Sequence, residues 1–131
     1  MIFNDHSLKI DKVEAFYIIR KHSFDTYIKV ISKDNTSISF TFNKNDFSPK
    51  NFKINEKIDL IKYIFCDITL KTNDTYYLFD ISKDKVYLTR LEDNKFRLEV
   101  NIDNPDIIYC PKNESFKNLT IDVEFSFVYE E

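Results

Sequence analysis

Between residues 95 and 102 apolar and polar positions alternate without a break, with Phe96, Leu98, Val100 and Ile102 on one parity and Lys95, Arg97, Glu99 and Asn101 on the other. A period of two puts successive side chains on opposite faces of an extended chain, so this run predicts a strand with one buried and one wet face. The same period holds longer at 119–129. There Leu119, Ile121, Val123, Phe125, Phe127 and Tyr129 share a side against Thr120, Asp122, Glu124 and Ser126, and one long strand against the core is expected. Ile38, Phe40 and Phe42 repeat the pattern against Ser37, Ser39 and Thr41. Further strands are expected at 12–20, 25–32, 66–71, 75–81, 85–91 and 107–110, all rich in β-branched and aromatic residues.

Asn- and Asp-bearing links separate these runs: Lys33-Asp34-Asn35, Thr72-Asn73-Asp74, Lys83-Asp84 and Asp93-Asn94. Asn and Asp tolerate the left-handed backbone that tight turns require, so the spacing describes antiparallel hairpins in a meander. One segment has helical character. Asn55 stands where it could cap a run in which Ile58, Ile61 and Phe65 recur at helical spacing, which predicts a short helix near 56–65. Pro49, Pro105 and Pro111 mark loops. The fold class is therefore all-β and mainly antiparallel, a barrel or two-sheet sandwich of about eight or nine strands with that one helix. A five-strand oligonucleotide-binding barrel resembles the first half but leaves the later strands without a place.

The 131 residues, 43% of them apolar, suffice for one core and would starve a second, so residues 1–131 are read as a single domain. Charged residues of both signs are interspersed and the net charge is −3, which offers little to a polyanion. The aromatic residues that could stack on bases, Phe40, Phe42, Phe96, Phe125 and Phe127, fall on the faces assigned to the core. Nucleic acid is not an expected partner. The longest apolar run, Ala15 to Ile19, is far too short to span a bilayer as a helix, and the first residues do not resemble a secretory signal. A cytoplasmic protein with reduced thiols is expected. On that expectation the glycosylation-like triplets at Asn35, Asn73, Asn113 and Asn118 carry no weight.

Glycine and tryptophan are absent, Ala15 is the one alanine, and residues with AT-rich codons are in excess. This points to an AT-rich bacterial or mobile-element genome. The lack of glycine also excludes chemistry. Phosphate-cradling loops, dinucleotide fingerprints, nucleophile elbows and the usual calcium loop all need a glycine where a Cβ would clash. The soft metal ligands His6, His22, Cys66 and Cys110 lack the paired spacing of zinc sites. Both cysteines read as small buried hydrophobes, and His22 as a solvated loop residue. Pro105-Asp106 is not followed by the acidic-x-Lys triplet that a restriction-nuclease site would require.

No catalytic, cofactor-binding or metal-binding residue is assigned, and no cofactor is expected. The expected function is non-catalytic binding of another protein, as in an immunity protein, inhibitor or adaptor, with Asp103, Asp106, Asp122 and Glu124 as contact residues for a basic partner. Asp122 and Glu124 have a simpler alternative, pairing with Lys95 or Arg97 if their strands adjoin. Two other functions are weighed: a β-barrel holding a small apolar ligand, and an enzyme built on an unrecognised carboxylate cluster.

Overall fold

The computed structural model describes residues 1–19, 24–42, 48–62, 68–80 and 85–130. Among the described residues, thirteen strands build two sheets that face each other as an open sandwich. In chain order they are β1 (Ile2–Phe3), β2 (His6–Ser7), β3 (Ile10–Ile19), β4 (Phe24–Ser32), β5 (Ser37–Phe42), β6 (Lys57–Asp59), β7 (Ile68–Lys71), β8 (Tyr76–Asp80), β9 (Lys85–Glu92), β10 (Lys95–Asp103), β11 (Asp106–Tyr109), β12 (Asn118–Phe125) and β13 (Val128–Glu130). Nine of them have four or more residues, as the alternation leads one to expect. The first sheet runs β2-β1-β12-β10-β9-β6 and the second β11-β8-β7-β5-β4-β3-β13. The sheets do not close into a barrel, which decides between the two architectures left open by the sequence.

The core is the sum of the inward parities. Phe96, Leu98, Val100 and Ile102 of β10 lie between Val86 and Leu88 of β9 and Leu119, Ile121 and Phe125 of β12, with Leu98 opposite both Leu88 and Val123. From the facing sheet come Ile28, Val30, Ile38, Phe40, Phe42, Ile68, Leu70, Tyr77 and Phe79, all buried. Each such side chain contributes roughly 1.5–3 kcal/mol on full burial, so register is strongly specified: a one-residue slip would turn a whole row to water. All five phenylalanines assigned to the core are buried there.

Pairing departs from a plain meander. Consecutive strands form hairpins at β1–β2, β3–β4, β4–β5, β7–β8 and β9–β10, whereas β5 pairs with β7 and β10 with β12, each skipping a strand that belongs to the other sheet. Among the described residues every strand pair is antiparallel except β13 with β3.

Six non-glycine residues have positive φ among the described residues, and all are Asn or Asp: Asn4, Asp5, Asn35, Asn55, Asn104 and Asn113. Asn4 (φ 49°) and Asp5 (φ 65°) turn the β1–β2 hairpin, whose two-residue loop needs positive φ at both positions. Of the predicted turn residues only Asn35 takes this conformation among those described. Lys83-Asp84 lies outside the described residues.

Two segments differ from the sequence reading. Within 56–65, Lys57–Asp59 is a strand at the edge of the first sheet, opposite Thr89, Leu88 and Tyr87. Leu60–Lys62 makes a single 3-10 turn, begun by the Asp59 carboxylate accepting from the Ile61 amide at 3.1 Å. Residues 63–65 lie outside the described residues. Asn55 is not a helix cap. It stands at φ 64° and donates its amide to the Arg90 carbonyl at 2.7 Å, which carries the chain into the ladder instead; β-branched Ile58 suits a strand better than a helix.

The long strand expected at 119–129 divides at Ser126-Phe127. β12 stays in the first sheet while β13 joins β3 in the second. The inward parity survives the crossing because Phe125 and Phe127 both face the core. Phe127 leaves the ladder there, and the Asn94 carboxamide replaces it: its Nδ2 donates to the Phe127 carbonyl (2.9 Å) and its Oδ1 accepts from the Phe127 amide (3.3 Å). No described helix is long and apolar enough to cross a membrane.

Candidate protein-docking edge

β11 closes one side of the second sheet and pairs only with β8 among the described residues. It is bracketed by Pro105 and Pro111. Proline has no amide hydrogen for a ladder and in sheets belongs to edges and ends, so the bracket confines pairing to the five residues between. Within the strand the register shifts between Ile107 and Tyr109, with Ile107 opposite Phe79, Tyr109 opposite Leu78, and Ile108 the extra residue of a bulge.

None of the four β11 residues is buried. Ile107 is 37% exposed, Ile108 55% and Tyr109 51%. The strand expected at 107–110 is present as β11, at a sheet edge, whereas Cys110, expected as a buried hydrophobe, is only half-buried. Three consecutive large apolar residues on an edge strand are unusual, since edges are commonly blunted with charge, a bulge or short length. Here the blunting comes from the two prolines, the bulge and one charge, Asp106. The Tyr76 and Tyr109 rings extend the apolar surface, with centroids 5.8 Å apart.

Two carboxylates face each other across the ladder at the start of this edge. Asp106 lies opposite Asp80 in the ladder, and Asp103 ends β10 three residues before it, across the Asn104-Pro105 link; all three are exposed. Asn104 (φ 44°) makes the turn from one sheet to the other, its amide bonded to the Lys117 carbonyl at 2.8 Å. Lys117 itself forms an ion pair with Asp5.

The structure thus sets Asp106 opposite Asp80 and Asp103 at the end of the preceding strand, and it keeps Asp122 and Glu124 elsewhere. Those two are on the outer face of the first sheet. Because Asp103 is opposite Asn118, Asp122 stands four residues, about 14 Å, further along β12. The Arg97 guanidinium holds Asp122 with two bonds of 2.8 and 2.6 Å, and Lys95 reaches Glu124 at 3.8 Å. The alternative that these acids pair across adjoining strands is therefore what the structure contains. The hydrogen bond from Arg97 holds the Asp122 carboxyl below its ordinary range, and Asp122 in turn raises the Arg97 value.

Glu99 extends this network to Lys57 at 3.7 Å, and the Lys57 ammonium lies over the Tyr87 ring at 5.1 Å. A shallow depression of about 350 Å³ lies among Lys57, Lys85, Tyr87, Glu99, Asn101 and Asp122. Its charges are largely turned toward one another.

Other candidates carry less chemistry. Cys110 is an unbridged thiol. Partial burial pushes its pKa up, but the Thr75 hydroxyl at 3.7 Å and the backbone amides of Glu114, Lys112 and Asn113 outweigh this and lower it. Tyr77, buried beneath, is pushed up to about 12 by burial first and then by Cys110 and Glu114. His6 is exposed on β2. His22 and Cys66 lie outside the described residues. Among the described residues no three His, Cys, Asp or Glu side chains gather where they could hold a metal ion.

No protein-family model, curated protein or solved structure matches this chain.

Proposed function

We propose that this chain is a non-catalytic protein-binding domain, of the immunity, inhibitor or adaptor kind, acting in the reducing interior of a cell with an AT-rich genome. The observation that carries the reading is the open β11 edge, where Ile107, Ile108 and Tyr109 are exposed in succession. Contiguous exposed apolar surface on an edge strand is costly in a lone domain and suits contact with another protein. Three carboxylates are held by structural partners. Asp5, Asp34 and Asp122 are each lowered first by a hydrogen bond from one neighbour, Lys117, Ser32 and Arg97 respectively. Each of these bonds ties a carboxylate to a neighbouring side chain of the fold. An apolar-ligand barrel is less well supported, because the two sheets do not close into a barrel.

The test is affinity capture of the tagged protein from its source cells, with native mass spectrometry of what remains bound. Wild type should retain one protein at fixed stoichiometry, and Ile108→Asp should lose it while keeping its circular dichroism spectrum. Equal retention by the two would remove β11 from the interface. In that case charge reversal at Asp122 and Glu124, slowing association most at low salt, would transfer the contact to the outer face of the first sheet.

A further inference from the structure

We draw no further inference here: the strongest candidate, the exposed apolar edge of β11 at Ile107, Ile108 and Tyr109, belongs to the site already described, and nothing in the structure shows what covers it.

Discussion

The residue scale is governed by the missing glycine. Wherever the described backbone enters the left-handed region, Asn or Asp takes the position, because a short polar side chain tolerates a conformation that costs other residues about 1–2 kcal/mol. At Asn104, which is exposed and stands at φ 44°, Asn104→Ala should destabilise the fold by about 1 kcal/mol. Asn104→Gly should come close to neutral, since easier backbone geometry offsets the greater freedom of the unfolded chain. Urea denaturation of both variants checks this; equal midpoints for Ala and Gly would contradict it. Composition announced that Asn and Asp would turn the chain, and Asn35 was identifiable by its place between two apolar runs. Asn55 was not. Its position before Ile58 and Ile61 fits a helix cap as well as a left-handed turn, and only the long-range bond to the Arg90 carbonyl chooses between them.

At the scale of elements, alternation marked the strands well and their neighbours poorly. Residues 95–102 and 37–42 are strands because one parity is buried, and burial is what alternation encodes. The division of 119–129 left no trace in that pattern, since Phe125 and Phe127 face the same core from either side of the crossing. What makes the crossing possible is Asn94, in the β9–β10 turn. Asn94→Ala should cost about 1–3 kcal/mol, the penalty for leaving buried backbone groups without partners, as measured by chemical denaturation. A loss below about 0.5 kcal/mol, within the range of ordinary surface changes, would show that water replaces the carboxamide. β11 posed the reverse problem. Ile107, Ile108, Tyr109 and Cys110 look like core because they are apolar, and the contrary signal was the proline on either side. A strand enclosed by prolines suits an edge, and reading that signal would have turned attention from Asp122 and Glu124 to the strand itself.

For the whole molecule, the sequence contained the fold class and left the layers open, because neither closure nor the facing of sheets is a local property. Electrostatics does act at this scale. Asp5, Asp34 and Asp122 have carboxyls lowered on folding, chiefly by bonds from Lys117, Ser32 and Arg97. Their stabilisation is complete above the unfolded carboxyl value of about 3.9 and is lost as pH falls through the lower folded values. Tyr77 has the opposite sign of shift: raised to about 12, it stabilises fully below the unfolded value of about 10 and ceases to do so as pH climbs through 12. Thermal unfolding followed against pH should show a loss of stability below about pH 4 and another above about pH 10. A melting temperature that rises on acidification below pH 4 would refute the first half.

In chain order the described strands switch sheet seven times, and the last four switch at every step. Neither layer can therefore peel away with its own strands while the other remains folded, which favours a single cooperative transition for the domain. Occupancy of β11 is then linked to the stability of residues across the sandwich that never touch the occupant. A ligand present at a hundred times its dissociation constant would add about 2.7 kcal/mol to the free energy of unfolding of the entire domain, so thermal melting of the intact protein is itself a label-free titration of its docking edge.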